Sequence, residues 1–363
     1  MMTPAASSYR DATDWGSDSG APPSPVTMAA VKRARKTIKP YLTPTPLISN
    51  PVLDERVGAH VLVKLENIQD IGAFKIRGAI NLLASMDAKQ RAQGIVTATR
   101  GNYGAALTQA CAMYDTKCTV FVPEGNNPDK NAAVEALGGE LIVKGHDFDA
   151  AWDASVRHAW NSGAISVHPG KRPELVAGQA TVALEMLEQA AGGLDVVIVP
   201  VGGGSLAAGT TLVVKALSPD TEVIAVQAEN APAFHHAWHT GDYLPMVANR
   251  TIADGLATRV PVRYTLGMMQ DLDDFVLVSE DEICAAIRCY AETIHQLAEG
   301  GGAAPLAAAI KLKERLAGKR VGLVLTGSNI DSRTLSWALR TDSVRHTPHA
   351  VPNFPMASLD YGD

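Results

Sequence analysis

Cysteine is scarce in this sequence: four residues among 363, Cys111, Cys118, Cys284 and Cys289, with no C-x-x-C spacing and no partner histidine beside the first two. That excludes a disulfide framework and leaves buried or idle thiols, or some redox sensitivity, in a protein expected in a reducing cytoplasm. No apolar run is long enough to span a bilayer. The N-terminal MMTPAASSYRDATDW has acidic residues and no apolar core, unlike a secretory signal. An excess of basic charge is missing too. The formal net charge of −6 disfavours non-specific binding to nucleic acid. With 46% hydrophobic and 19% charged residues, the composition is that of a globular protein large enough for one big unit or two domains.

Residues 1–25, rich in Ser, Asp, Gly and Pro, are expected to form a flexible tail. A helix is expected over VTMAAVKRARKTIKPYL, a strand at VLVKLENI, and a helix over FKIRGAINLLASM, where Ile76, Ile80 and Leu83 share a face. The middle of the chain then repeats one pattern of apolar strand, glycine-bearing turn and amphipathic helix: GIVTATRGNYG, TKCTVFVPEG, GELIVKG, LDVVIVPVGGGSLAAG, and finally RVGLVLTGSNI. Short buried strands alternating with helices predict α/β architecture with mainly parallel sheets. The expected division is a large domain from residues 26–90 and 176–340, a small mobile domain at 91–175, and a C-terminal tail at 341–363.

Gly202, Gly203, Gly204 and Ser205 follow the strand VVIVP and open a helix. Glycines let backbone N–H groups converge, and the helix start adds a positive end, so this is a phosphate cradle or else a tight turn. It is not a Walker loop, because no Lys-Ser/Thr closes it, and the G-x-G-x-x-G fingerprint is absent. Lys75 sits between Phe74 and Ile76 at the start of an apolar helix. Alone it would read as a solvated lysine. With a phosphate cradle it becomes a Schiff-base candidate, since an amine in apolar surroundings deprotonates more readily. Arg77 and Lys64 read as packing or surface charges. Thr99, Arg100, Gly101, Asn102, Tyr103 and Gly104 form a strand-to-helix junction able to hold a carboxylate, or a plain helix cap. Thr326 closes another strand, where its hydroxyl could meet a ring nitrogen or only shape a turn. His235, His236 and His239 cluster, but without a carboxylate in H-E-x-x-H register they read as packed or solvent-facing, and no metal is expected.

These segments, in this order, resemble the fold-type II pyridoxal-phosphate family that includes threonine and serine dehydratases and serine racemase. The resemblance runs from about Thr45 to Leu335 through TPL, KLENIQDIGAFKIRGA, TRGNYG, AGQATVALEML, VPVGGGSLAAG, TIADGLA, EGGGAAPLAA and LTGSNID. It implies two open, mainly parallel sheets with flanking helices, as in the tryptophan synthase beta chain, and pyridoxal 5'-phosphate as cofactor. By this resemblance Lys75 would bind the cofactor covalently, with Phe74 beside the ring. Asn102 would contact the phenolic oxygen, and the loop Thr99–Gly104 would hold the substrate carboxylate. Gly202–Ser205 would take the phosphate, Gly255 and Glu299 would line the ring, and Thr326 would face the pyridine nitrogen. Relatives are often dimers, so a homodimer is a possibility.

Three departures shape the expected activity. The family commonly has Ser-Ser-Gly-Asn-His where this chain has Thr99-Arg100-Gly101-Asn102-Tyr103. Arginine stays protonated and makes a poor base, which argues against racemisation. Thr326 replaces the usual Ser or Cys and keeps the hydroxyl, a neutral partner that favours elimination. The carboxylates of the relatives' divalent-cation site fall on Gln227 and Ala233, which lack charged oxygens. No long extension follows LTGSNID, so the regulatory domain of biosynthetic threonine dehydratase is not expected. The resemblance thus implies an ammonia-lyase (dehydratase) acting on an L-threo-3-hydroxy amino acid. Threonine is one candidate, a 3-hydroxyaspartate type suits Arg100, and a phenylserine type suits an aromatic wall at Tyr103. The TRGN form also resembles dehydratases assigned to hydroxyectoine breakdown. The alternatives are a β-replacement synthase of the same fold and a non-catalytic binding protein on its scaffold.

Overall fold

The computed structural model describes residues 25–246 and 250–340. The expectations for the two tails, residues 1–24 and 341–363, lie outside the described residues. Among the described residues ten strands form two sheets: β1 Leu47–Ile48, β2 His60–Leu65, β3 Ile95–Ala98, β4 Cys118–Val122, β5 Glu140–Val143, β6 Ile165–Ser166, β7 Val196–Pro200, β8 Glu222–Ala228, β9 Asp274–Val278 and β10 Arg320–Leu325. The larger sheet has the order β1-β2-β10-β7-β8-β9 and is parallel except for the antiparallel β1–β2 edge. The smaller sheet, β5-β4-β3-β6, is wholly parallel. Helices connect the parallel strands, as the alternating pattern requires. Strand β9 and the two-residue strands β1 and β6 were not legible, the last two because two residues carry no periodicity.

Strand β7 shows why the larger sheet is buried on both faces. Val197 and Val199 join one apolar cluster with Leu206, Val213 and Phe234, while Val196 and Ile198 join the opposite one with Ile287, Tyr290 and Leu306. Alternate residues of a strand point to opposite faces, so a strand apolar throughout needs a cover on each side. Each such aliphatic side chain contributes about 1.5–3 kcal/mol on burial. The helix Lys75–Ser85, grouped by sequence with the larger unit, sends Ile76, Ile80 and Leu83 into one cluster with Ile95, Leu107, Val120 and Val122 around the smaller sheet. Periodicity identifies an apolar face but not the sheet it meets. No helix among the described residues is long and apolar enough to cross a membrane.

Of the two readings for Lys64 and Arg77, the surface one is corrected: both side chains are fully buried. The Arg77 guanidinium donates two bonds of 2.7 Å to Glu66 and bonds of 2.7 and 2.8 Å to Glu185. Lys64 Nζ donates to the Thr45 carbonyl at 2.6 Å, to Glu185 at 2.8 Å and to Gln189 at 2.8 Å. Two cations face two carboxylates, so the cluster is neutral and its charges are well bonded, the condition under which buried ions are tolerated. It ties β2, the Lys75 helix and the helix Pro173–Gln189 together.

Candidate active site

A pocket lies at the carboxyl ends of β7 and β10, the edge where open α/β sheets carry their sites. Phe74, Lys75, Asn102, Gly202, Gly203, Gly204, Ser205, Gly255, Glu299 and Thr326 line it, together with Pro200, Leu206, Leu256 and Gly301. Residues scattered over more than two hundred positions of sequence thus meet in one cleft.

Lys75 is the first residue of its helix, and its Nζ lies 4.6 Å from the centre of the Phe74 ring. The Phe74 N–H donates to the Thr326 carbonyl at 3.0 Å, which pins the helix start to the end of β10. Enclosure of the ammonium pulls its pKa down from 10.5 to about 8, against an opposing pull from the Glu299 carboxylate. Enclosure therefore makes the neutral amine easier to reach than on an exposed lysine.

The turn from Gly202 to Ser205 is shaped by backbone geometry. Gly204 has φ of +81°, a left-handed conformation that turns the chain into the helix Ser205–Leu217. A Cβ on Gly202 would lie 2.1 Å from the Gly255 carbonyl oxygen, so only glycine fits there. A Cβ on Gly203 would meet nothing within 4 Å, so that side of the turn opens into space. Ser205 Oγ is buried without a hydrogen-bond partner. An orphaned hydroxyl and open room at a helix start fit the phosphate end of pyridoxal phosphate, and Lys75 fits its aldehyde.

Asn102 precedes its helix without capping it. Its Nδ2 donates to Glu299 Oε1 at 2.6 Å, and its Oδ1 accepts from Asn329 Nδ2 at 2.9 Å. The second Nδ2 hydrogen remains for a ligand oxygen. Glu299 is buried, and desolvation pushes its carboxyl above the usual range although Lys130 works against this. Thr99 closes the preceding loop, its Oγ1 accepting from the Gly101 N–H at 3.0 Å.

Thr99, Arg100, Gly101 and Tyr103 are not among the residues lining the pocket. Arg100 makes no hydrogen bond or ion pair among the described residues. Tyr103 departs most from expectation. Its ring packs in the core of the smaller sheet, its hydroxyl is buried without a partner, and burial raises the phenol well above its ordinary range. It is the first residue of a helix whose early positions are apolar, and that face turns inward. Sequence reasoning missed Lys130 and Asp254: an isolated lysine in PDKNAAVE carries no local signal, and in DGLA only the glycine drew notice.

The four cysteines are buried, and none is in a disulfide among the described residues. Among the described residues no group of three or more His, Cys, Asp or Glu is arranged to hold a metal. His235 and His239 instead lie with ring centres 4.2 Å apart on one helix, and Gln227 Oε1 accepts from the Phe234 and His235 N–H groups at the start of that helix.

A family model described as pyridoxal-phosphate dependent enzyme matches residues 38–327. An L-threonine ammonia-lyase of Thermotoga maritima is 35% identical over 84% of this chain and 76% of its own. A beta-hydroxyaspartate dehydratase of Paracoccus denitrificans is 33% identical over 84% of this chain and 96% of its own. Among solved structures, maize serine racemase superposes with a TM-score of 0.82 at 30% identity, covering 87% of this chain and 97% of that one.

Proposed function

The chain belongs to the pyridoxal-phosphate-dependent enzymes of fold-type II, and from that premise we propose that it is an ammonia-lyase converting an L-threo-3-hydroxy amino acid to a 2-oxo acid and ammonia. The observation carrying this reading is the Lys75 amine, brought to a pKa of about 8 inside a pocket that also holds the cradle, Asn102 and Thr326. Relatives named for threonine and beta-hydroxyaspartate support the substrate class.

When bound, pyridoxal phosphate supplies an electron-withdrawing ring that spreads the negative charge left at Cα. The backbone N–H groups of Gly203–Ser205 and the Ser205 hydroxyl hold its phosphate. Lys75 Nζ takes the Cα proton, a task matched to an amine whose pKa lies near the working pH. Asn102 and Thr326 offer neutral hydrogen-bonding groups that orient the ring. Loss of the 3-hydroxyl as water gives an enamine, and its hydrolysis regains that water, so the net products are the 2-oxo acid and ammonium. Arg100 cannot return a proton to the opposite face, which favours elimination over racemisation.

Tyr103 lies in the core, which removes the aromatic wall that favoured a phenylserine type. Arg100, without a partner two residues before Asn102, favours a substrate with a second carboxylate. With the loaded enzyme and a panel of threonine, serine, 3-hydroxyaspartate and 3-phenylserine, equimolar ammonia and 2-oxo acid are expected from the threo isomer of 3-hydroxyaspartate above the others. Arg100→Ser should lower kcat/KM for that substrate by about 1.5–3 kcal/mol, the worth of a charged hydrogen bond, with little change for threonine. An unchanged profile removes Arg100 from recognition, and silence of the whole panel overturns the reaction.

The amine also predicts a pH dependence. Cofactor-free protein should take up pyridoxal phosphate at a rate that climbs with pH and levels off above about 8, since the neutral amine reacts. An ordinary lysine would keep gaining well past that point. A rate without that plateau contradicts the enclosure of Lys75.

A further inference from the structure

Lys130 is a buried cation bonded to Glu299 of this pocket, and neither group has a part in the reaction above. It stands in the helix Pro128–Ala136 beside the smaller sheet and is 8% exposed. Its Nζ donates to Asp254 Oδ2 at 2.6 Å and to Glu299 Oε2 at 3.2 Å, both on segments that flank the larger sheet. A Cβ on Gly101 would lie 3.9 Å from the same nitrogen, so the ammonium also adjoins the loop expected to meet the substrate carboxylate. From Glu299 the chain of bonds continues through Asn102 to Asn329.

We infer that Lys130 is a positioning residue of this site: its ammonium reaches across from the smaller sheet, holds Asp254 and Glu299 together, and so fixes the charge and aim of the carboxylate against which Asn102 is held. The same contact ties the helix beside the smaller sheet to the segments that carry Asp254 and Glu299 at the edge of the pocket. The groups facing the Glu299 carboxyl are Lys130 and Asp254 on one side, Asn102 on another, and Lys75 across the pocket. Two carboxylates share one ammonium. Removing that ammonium leaves them repelling each other, and the buried Glu299 then takes up a proton more readily.

The direction of the pH effect follows. Lys130 lowers the Glu299 pKa relative to a variant without it, so the stability Lys130 adds is present where Glu299 is ionised and fades as pH falls and the carboxyl protonates. The test compares the loaded wild type with Lys130→Met and Lys130→Arg, with Lys130→Gln as the neutral substitute if the methionine variant does not fold. Melting temperatures are measured across the pH range, and kcat and KM on the best substrate of the panel. The melting gap between wild type and Lys130→Met is expected to be wide near neutrality and to close in acid. The limb of the kcat profile that Glu299 sets, on the acid side of the one set by Lys75, should move up by about one to three pH units, while Lys130→Arg keeps that limb near its wild-type place. A melting gap of the same size at every pH, or an unmoved limb in Lys130→Met, overturns the inference. The kinetic arm rests on the proposed reaction and the melting arm does not. If no amino acid releases ammonia, that reaction fails while the melting curves still decide the role of Lys130.

Discussion

Lys75→Ala is expected to leave a folded protein with no measurable ammonia release. Loss of a positioned acid–base group alone costs about 10²–10⁴-fold, and the same side chain is the covalent anchor proposed for the cofactor, so both functions disappear together. The fold should survive, because alanine suits the first turn of a helix and the substitution removes a cation that its surroundings already penalise. Circular dichroism and melting should match wild type, while the visible absorbance of the cofactor bound through an amine is lost. The cradle still offers its backbone N–H groups and the Ser205 hydroxyl, so the cofactor should be retained more weakly and released by dialysis. Turnover in the alanine variant at even a few per cent of wild type would remove Lys75 from the chemistry.

Arg77→Met should produce the largest loss of stability. Methionine approximates the volume of the stem but leaves Glu66 and Glu185 buried with Lys64 as their one remaining cation among the groups described above. Breaking one side of a buried ionic cluster costs about 3–5 kcal/mol, because an uncompensated charge remains. Arg77→Lys should fall between: it retains the charge but cannot make the forked contacts of the guanidinium to two carboxylates. Chemical denaturation measured on all three proteins gives the ranking. A methionine variant within about 1 kcal/mol of wild type would mean that the cluster relaxes or takes in water, contrary to its burial. The helix that carries Arg77 begins at Lys75, so partial loosening should also raise the pKa of the lysine towards its ordinary value as water reaches it.

Glycine and periodicity made much of this protein legible. The run from Gly202 to Ser205 after a five-residue apolar strand could be read as a cradle because tight turns and close backbone approach have few chemical solutions, and the structure shows both a positive φ at Gly204 and a carbonyl packed against Gly202. The alternation of apolar strands and amphipathic helices likewise admits few architectures, and two mainly parallel sheets are what is found. Local chemistry told less about side chains whose meaning depends on what lies opposite. Lys64 and Arg77 look like any surface cations in sequence, yet each meets carboxylates up to 121 positions away. Tyr103 sits in the TRGNYG run expected to meet the substrate, but the first turn of its helix faces the core and takes the ring with it.

The backbone order, the strand-ending turns and the lysine in an apolar helix start were thus determined locally, since they follow from φ preferences, hydrogen-bond satisfaction and the period of apolar residues. Which apolar cluster the Lys75 helix joins, which cations become buried, and that Lys130 stands between Asp254 and Glu299 were decided only by tertiary structure. Those outcomes depend on the distance between groups remote in sequence and on the water excluded between them, and neither quantity is carried by any short stretch of chain.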